Sequence, residues 1–261
     1  MEHTDYLAFA LDLARDAGAI MKQNFILGMK KEWKNDATPL TETDTKIHTL
    51  VCDSILRAFP THAILSEEDS SKLGAADSEY LWVCDPVDGT HNFSHGIPTA
   101  TFMLSLVHDG VPIVAVIHDP FMDRLFYAEK GRGAFMNNTQ IHVSSAPSLK
   151  HTVAALGKVN KQLLAVYGAL REERGVRVIT GLSVGYVGAL VAAGELSACI
   201  FSGRDAHDTV AIQLLVEEAG GIATDLTGQK SARYDGEVNG QIASNGLVHA
   251  DLVEIVSRYE A

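Results

Sequence analysis

Residues 85–93, which read DPVDGTHNF, have the highest density of groups suited to chemistry. Two carboxylates lie three residues apart, and Pro86 between them restricts its own backbone and that of the residue before it. Gly89 allows a close backbone approach or an unusual dihedral angle, and Thr90 is able to cap a short helix. Such a turn directs carboxylate oxygens and backbone N–H groups to one point. Hard divalent cations prefer the oxygens, and phosphate groups prefer the N–H groups.

Other acidic residues stand at the ends of predicted elements. Glu67 and Glu68 follow an apolar strand, while Asp44 and Asp208 each precede an apolar helical pattern. Taken singly, each has an ordinary structural explanation, because exposed acids, helix-initiating acids and Asp/Pro/Gly turns are all common. Taken together, in an acidic chain without a Lys/Arg cluster, they indicate a shared cation site.

The composition argues against several classes of protein. A formal net charge of −12 makes nucleic acid or an anionic membrane a poor partner. The longest apolar runs, such as residues 111–117, are too short to span a bilayer, and the acidic N-terminus does not resemble a secretory signal. The three cysteines include no CxxC pair and are typical of buried thiols in a reducing compartment. We therefore expect a cytoplasmic protein that binds neither nucleic acid nor membranes.

The hydrophobic pattern predicts the elements that position these acids. Helical spacing predicts helices over residues 6–25, with Gly28 as a stop, and over 44–59. In the middle of the chain, strands are predicted over 80–84, 101–108, 111–119, 123–129 and 141–144. Strands at 153–156, 176–180 and 198–201 then alternate with helices at 161–171, 184–193 and 210–219, and a helix at 249–259 closes the chain. This predicts an α+β half, residues 1–147, packed as one unit with an α/β half, residues 148–261.

Four sequence blocks resemble the inositol monophosphatase family. They are TPLTETD (38–44), LSEED (65–69), DPVDGTHNFSHGIP (85–98) and DAHDTVAIQLLVEEAGG (205–221), and a fifth, GRGAFMNNTQIHVS (131–144), is similar to the family's connecting strand. The blocks span nearly the whole chain in the family's order, and the third is highly specific. The resemblance implies a layered α+β and α/β fold, an αβαβα sandwich of the inositol monophosphatase/fructose-bisphosphatase type. It also implies a Li⁺-sensitive homodimer that hydrolyses a small phosphomonoester with two to three Mg²⁺ ions.

The resemblance further implies roles for individual residues. One Mg²⁺ would be held by Glu67, Asp85 and the carbonyl of Val87, a second by Asp85, Asp88 and Asp208, and a third, weaker ion by Glu67. The catalytic group would comprise Asp44, Glu67 and Thr90, with Asp44 and Thr90 orienting the attacking water. Gly89 and Thr90 would offer backbone N–H groups to the phosphate. Paired cations would offset the charge of a phosphate dianion and lower the pKa of a bound water.

Two positions, 201 and 207, depart from the family pattern, and the segment around Ser183 lacks the Arg-Ser that many members carry there. Phe201, seven residues before Asp208, stands where inositol-cleaving members carry a Glu that recognises ring hydroxyls, and Phe accepts no hydrogen bond. We assign Phe201 and Ser183 to the substrate-binding residues, with packing at a strand end as the alternative for Phe201. His207 stands where the family often has Trp, and we expect it on the surface. Sugar or polyol phosphates are the expected substrates, and histidinol phosphate and fructose 1,6-bisphosphate are alternatives.

Two other functions compete with this hypothesis. The segment GLSVG (181–185) matches the G-x-S-x-G elbow of serine hydrolases, with Ser183 as nucleophile and Asp205 and His207 downstream. The order of acid and histidine is unfavourable, however, and no HGGG-type motif occurs. A non-catalytic binding protein would tolerate loss of the metal ligands, yet all of the implied side-chain ligands are present.

Overall fold

The computed structural model describes residues 5–33, 39–75, 77–157, 159–231 and 233–259. Thr38, which opens the block TPLTETD, lies outside these residues. Within them the chain forms seven α-helices and a 3₁₀ helix over Ala206–Asp208. The α-helices are α1 (Tyr6–Asn24), α2 (Glu42–Ala58), α3 (Thr90–Ser94), α4 (Lys161–Glu172), α5 (Val184–Ala192), α6 (Val210–Glu218) and α7 (His249–Ser257).

A large, mainly antiparallel sheet occupies the first part of the chain. After a small ribbon of β1 (Glu32–Trp33) and β2 (Pro39–Leu40), its strands are β3 (Ala63–Ser66), β4 (Asp69–Gly74), β5 (Tyr80–Asp88), β6 (Thr101–His108), β7 (Val111–Asp119), β8 (Arg124–Glu129), β9 (Ala134–Met136) and β10 (Thr139–Ile141). Their order is β10-β9-β8-β7-β6-β5-β3-β4, and only β3 and β5 pair in parallel among these described strands.

A second, mixed sheet follows. Its strands are β11 (Val153–Gly157), β12 (Arg177–Thr180), β13 (Ala198–Phe201), β14 (Ile222–Thr224) and β15 (Gln241–Ser244), in the order β12-β11-β13-β15-β14. The first sheet ends at Ile141 and the second begins at Val153. The division that we expected near residue 147 therefore falls between the two sheets, although the division itself stays a prediction.

Helices fill the space between the sheets and cover their outer faces. Helices α1 and α2 pack on one face of the large sheet, α5 and α6 lie between the two sheets, and α4 and α7 pack on the second sheet. Because side chains alternate along a strand, Phe102 and Leu104 face α1 and α2, whereas Met103 faces the α5–α6 layer. This double burial explains the continuous apolar run of β6. The αβαβα layering expected from the sequence is confirmed.

Most predicted elements are present with small boundary shifts, and four differ for identifiable reasons. Helix α1 ends at Asn24, before Gly28, and α2 begins at Glu42 because Thr41 caps it. The strand expected at 141–144 ends at Ile141, since the N–H of Val143 donates to the carbonyl of Ala219 at 3.1 Å. Strand β4 follows Glu67 and Glu68, where the sequence predicted no strand. No helix in the described part of the chain combines the length and apolar character required to cross a bilayer.

Candidate active site

A β-bulge brings Asp85 and Asp88 together at the end of β5. In a regular strand, two residues three apart point to opposite faces of the sheet. Here Asp85 pairs with Met103 but Asp88 pairs with Thr101, so β5 has one extra residue in this interval. Because of this extra residue, the side chains of Asp85 and Asp88 point to the same face of the sheet. The N–H of Val87 donates to Asp85 Oδ1 at 3.1 Å, which fixes the turn around Pro86.

Asp208 joins this pair from the far end of the chain. One carboxylate oxygen of each of Asp85, Asp88 and Asp208 lies within 4.8 Å of the others, and the three residues are only 2%, 5% and 3% exposed. Burial, followed by repulsion from Glu67, Asp88 and Asp208, raises the pKa of Asp85 well above its ordinary value. Asp208 precedes α6 in the short 3₁₀ helix rather than capping α6. Its buried position favours a ligand role over that of an ordinary helix-initiating acid.

Asp88 has a defined set of donors and a carboxyl group of raised pKa. Its Oδ2 accepts from Thr101 Oγ1 and from the N–H of Gly185, both at 2.7 Å, and Oδ1 accepts from the N–H of Val184 at 3.2 Å. Burial and the nearby Asp208 nevertheless raise the pKa of Asp88 to about 6. Ionisation of this cluster is unfavourable in the absence of a cation, and a bound divalent ion would offset that cost.

Glu67 approaches the same acids from the turn between β3 and β4. Its N–H donates to the carbonyl of Cys84 at 3.1 Å, which holds the turn against β5. Carboxylate oxygens of Glu67 and Asp85 lie within 4.8 Å of a ring nitrogen of His207 and of each other. The surface position that we expected for His207 is therefore incorrect. The residue is partly buried beside two of the acids because its 3₁₀ turn packs against β5.

Asp44 and Thr90 form a hydrogen-bonded pair at the edge of the site. Thr90 Oγ1 lies 3.0 Å from Asp44 Oδ1 and 2.9 Å from the carbonyl of Val87, so its hydroxyl proton has two acceptors. Asp44 is fully buried at the third position of α2 and accepts from the N–H and hydroxyl of Thr41 in a capping box. Burial raises the pKa of Asp44. Thr90 does not cap α3 as the sequence suggested, because Gly89 is the N-cap.

The two halves of the chain meet at Gly89 and Ser183. Gly89 has a φ of 82°, and a Cβ added there would lie 2.6 Å from Ser183 Cβ. A cleft of about 270 Å³ opens at this contact. It is lined by Pro39, Glu67, Asp85, Asp88, Gly89, Thr90, His91, Asn92, Gly181, Leu182, Ser183, Val184 and Asp208. A larger cleft of about 820 Å³ beside Tyr6 and Arg132 has no comparable group of acids among the described residues.

Ser183 has the surroundings of a helix cap rather than of a nucleophile. It lies between β12 and α5, as an elbow would require, but its φ of −65° is unstrained, whereas a nucleophile elbow is a strained turn. Its Oγ accepts from the N–H of Tyr186 at 3.4 Å, and its hydroxyl hydrogen-bonds Asp88. His207 instead faces Glu67 and Asp85. These contacts disfavour the serine-hydrolase alternative.

Phe201 does not line the cleft. Its side chain is fully buried in the apolar layer between the sheets, and it lies close enough to Gly157 that an added Cβ there would be 3.3 Å from Phe201 Cβ. Our assignment of Phe201 to substrate binding is corrected, and the alternative of packing at a strand end describes its position. A phenylalanine at the last position of a central strand gives no sequence signal that separates these two roles.

Three supporting residues of the site were missed in the sequence. Thr101 and Gly185 donate to Asp88, and Thr41 donates to Asp44. A Cβ on Gly185 would lie 2.8 Å from Asp88 Oδ2, so this glycine permits the close approach of α5. Only the Thr41–Asp44 spacing was detectable from sequence, since it is the spacing of a capping box. The other two contacts join residues far apart in the chain.

Comparisons with known proteins agree with this geometry. A sequence model of the inositol monophosphatase family matches residues 2–261. An inositol monophosphatase of Mesembryanthemum crystallinum is 31% identical, over 98% of this chain and 97% of that protein. A fructose-1,6-bisphosphatase/inositol-1-monophosphatase of Thermotoga maritima is 31% identical, over 97% and 96%. A solved inositol monophosphatase structure from T. maritima is 30% identical and superposes with a TM-score of 0.88 over 98% of both chains.

Members of this family are phosphomonoesterases that depend on metal ions, and the acidic groups described above are able to hold such ions. The family membership expected from the four sequence blocks is confirmed by a match over residues 2–261. The protein belongs to the inositol monophosphatase family.

Proposed function

We propose that this protein hydrolyses small phosphomonoesters of the sugar or polyol class in a reaction that depends on Mg²⁺. The observation that carries the proposal is the buried group of Asp85, Asp88 and Asp208, whose oxygens lie within 4.8 Å of one another in a cleft. Three buried carboxylates without a cation are electrostatically unfavourable, and their all-oxygen donor set suits a hard divalent ion.

The residues present fit two neighbouring ions. Asp85 belongs both to the group with Asp88 and Asp208 and to the group that contains Glu67, so it is positioned to bridge them. We retain the carbonyl of Val87 as a further ligand, and we retain Glu67 as the contact of a weaker third ion. When bound, Mg²⁺ would offset the charge of the phosphate and increase the acidity of a water ligand.

The Asp44–Thr90 pair would orient the attacking water. When Thr90 donates its hydroxyl proton to Asp44, the lone pairs of Thr90 Oγ1 are available to accept from that water. The water would transfer a proton to Thr90 as Thr90 transfers its own to Asp44, and the raised pKa of Asp44 favours this direction. The backbone N–H groups of Gly89 and Thr90 would bind the phosphate oxygens. Ser183, which lines the same cleft, would contact the substrate.

The size and lining of the cleft support the proposed substrate class. About 270 Å³ accommodates a phosphate with a small polyol or sugar, and Asn92 and His91 provide polar side chains at its wall. The relatives named above include an inositol monophosphatase and a fructose-1,6-bisphosphatase/inositol-1-monophosphatase. Inositol 1-phosphate, fructose 1,6-bisphosphate and histidinol phosphate are therefore the first compounds to compare.

Three further properties belong to the same proposal. We propose that the protein is a homodimer, which sedimentation velocity would test, and that Li⁺ inhibits it by replacing one Mg²⁺, which a LiCl titration would test. We also propose a cytoplasmic location. The free, buried state of Cys52, Cys84 and Cys199 is compatible with a reducing compartment, and cell fractionation would test it.

Phosphate release from a panel of phosphomonoesters, with and without Mg²⁺, tests the function. The wild type should release phosphate only with Mg²⁺. Asp88→Asn should lower turnover by at least about 100-fold, since it removes the charge of a proposed Mg²⁺ ligand. Ser183→Ala serves as the comparison, and it should retain hydrolysis because Ser183 is not the nucleophile. Release that persists in EDTA, or that fails only in Ser183→Ala, would reject the metal-dependent assignment.

A further inference from the structure

His207 is the one nitrogen donor that the described residues place in the acidic groups around Asp85. A ring nitrogen of His207 and carboxylate oxygens of Glu67 and Asp85 lie within 4.8 Å of one another. The neighbouring group consists of Asp85, Asp88 and Asp208, with the same spacing. Two adjacent candidate metal positions therefore share Asp85. One has only carboxylate oxygens as donors, and the other also has the imidazole of His207.

The 3₁₀ turn explains how two consecutive residues serve two positions. A 3₁₀ helix has three residues per turn, so the side chains of His207 and Asp208 leave the backbone about 120° apart. The turn is held firmly. The N–H and the hydroxyl of Thr209 donate to the carbonyl of Ala206 at 3.0 and 3.1 Å, and Gln241 Nε2 donates to the carbonyl of Thr209 at 3.1 Å.

The spacing around His207 suits a single ion. Ligands that bind one ion at about 2.1 Å are separated by about 3.0 Å when adjacent and by about 4.2 Å when opposite each other. Donor atoms that already lie within 4.8 Å need only small side-chain movements to reach these separations. His207 also groups with Asp205 and Asp208, and a carboxylate beside the ring is able to accept the N–H of the nitrogen that does not bind metal.

We propose that His207 is a direct metal ligand at the Glu67–Asp85 position, in addition to the oxygen ligands of the proposed phosphatase site on which this inference rests. Imidazole nitrogen binds Mn²⁺, Co²⁺ and Zn²⁺ better than it binds Mg²⁺, which prefers oxygen. The position with His207 therefore selects for a transition metal, and the position with Asp88 and Asp208 suits Mg²⁺. A mixed-metal centre follows from this pair of donor sets.

Pulsed electron paramagnetic resonance with Mn²⁺ as the added metal tests the ligand directly. The full-length protein should show the ¹⁴N coupling of a coordinated imidazole, and the pattern should change to that of ¹⁵N when the histidines are isotopically labelled. His207→Gln keeps an amide that hydrogen-bonds carboxylates, and His207→Trp introduces the residue common in the family pattern. Both variants should lose the nitrogen coupling. Calorimetry should show their Mn²⁺-over-Mg²⁺ preference reduced at least about tenfold.

The possible outcomes separate this inference from the proposed function. Binding of Mn²⁺ without nitrogen coupling in the wild type would overturn the role of His207 and leave the phosphatase proposal intact. Coupling that survives in His207→Gln would assign the nitrogen to another residue, which also overturns it. Failure of the wild type to bind either Mn²⁺ or Mg²⁺ would reject both proposals. If the variants do not fold, absence of a ¹⁵N-histidine change in the wild type still overturns the inference, and its presence supports it because His207 is the one histidine that the described residues place in these acidic groups.

Discussion

Asp88→Asn should stabilise the metal-free protein while it abolishes most stabilisation by metal. Asp88 is 5% exposed and faces Asp208 across the site, and this environment raises its pKa to about 6 from the ordinary value of 3.8. That difference corresponds to about 3 kcal/mol of unfavourable free energy for the ionised form in the folded state. Asparagine has nearly the same shape and removes the charge.

One hydrogen bond is lost in the exchange. The amide oxygen is able to take the place of Oδ2, which accepts from Thr101 and Gly185 at 2.7 Å. The amide NH₂ then faces the N–H of Val184, whose 3.2 Å bond to Oδ1 is lost, whereas the hydroxyl of Ser183 is able to rotate and accept from the amide. Losing that bond costs about 1 kcal/mol. The net expectation is that metal-free Asp88→Asn is about 2 kcal/mol more stable than the wild type at pH 8.

The raised pKa of Asp88 also predicts how the stability of the metal-free protein depends on pH. A carboxyl whose folded pKa lies above its unfolded pKa stabilises the protein at low pH, and this contribution is lost as the pH rises through the folded value. Asp88 alone should therefore make the metal-free wild type about 1.4 kcal/mol more stable at pH 5 than at pH 8. The raised pKa values of Asp85 and Asp44 act in the same direction. The advantage of Asp88→Asn should accordingly shrink at pH 5.

Urea unfolding in EDTA at pH 8 and pH 5 measures these differences, and repeating the pH 8 series with Mg²⁺ measures the metal contribution. Magnesium at 100 times its dissociation constant should stabilise the wild type by about 2.7 kcal/mol and the variant by much less. Asp16→Asn, on the exposed face of α1, is the matched control and should change stability by less than about 0.5 kcal/mol. A metal-free Asp88→Asn protein that is less stable than the wild type by the same amount at both pH values would refute the electrostatic argument.

Three further substitutions test other parts of the site. Gly89→Ala should cost about 2–5 kcal/mol in urea unfolding, because it combines a φ of 82° with a 2.6 Å contact to Ser183. The control Gly131→Ala, with a φ of 77° and open space around it, should cost only about 1–2 kcal/mol, and equal losses would argue against the contact. Thr90→Val should lower kcat at least about 100-fold by removing the hydroxyl bonded to Asp44, and Thr90→Ser should restore most of it in the phosphate-release assay; activity of the valine variant would exclude the relay. Phe201→Glu should lose about 3–5 kcal/mol of stability in urea unfolding rather than gain activity on inositol phosphate, because the side chain is buried. The control Phe201→Leu should lose less than about 1.5 kcal/mol, and a stable Glu variant would show that the side chain reaches solvent.

The candidate ion-binding residues were predictable because each has a local signal. Asp85 and Asp88 follow an apolar strand in a Pro/Gly turn, and Asp208 precedes an apolar helix. The hydrophobic periodicity also predicted strands of the large sheet, since β6 and β7 have the boundaries that the sequence indicated. These signals depend only on neighbouring residues. Family resemblance then supplied the association of segments that lie far apart in the chain.

The contacts that fix these acids were not predictable, because they depend on how segments pair. The extra residue between Asp85 and Asp88 is defined only by the register against β6, and no local pattern specifies it. Nothing in the sequence distinguishes Gly185 among the 22 glycines, because its contact with Asp88 exists only once α5 has packed against that residue. His207 reads as an exposed histidine until its turn packs on β5. Sequence reasoning therefore identified the acidic residues of the site. It missed the residues that hydrogen-bond to them or place a nitrogen donor beside them.

The arrangement of Asp88 and its donors has a consequence for how the site assembles. Two of its donors, the N–H groups of Val184 and Gly185, belong to the start of α5, whereas Asp88 lies in the large sheet. The third acid, Asp208, also comes from the later part of the chain. Repulsion among the acids opposes the packing of these parts, and the N–H groups and bound cations favour it. Metal binding should therefore stabilise the packing of α5 against the large sheet more than either sheet alone, and hydrogen exchange at Val184 and Gly185 would slow on addition of Mg²⁺ if this coupling is present.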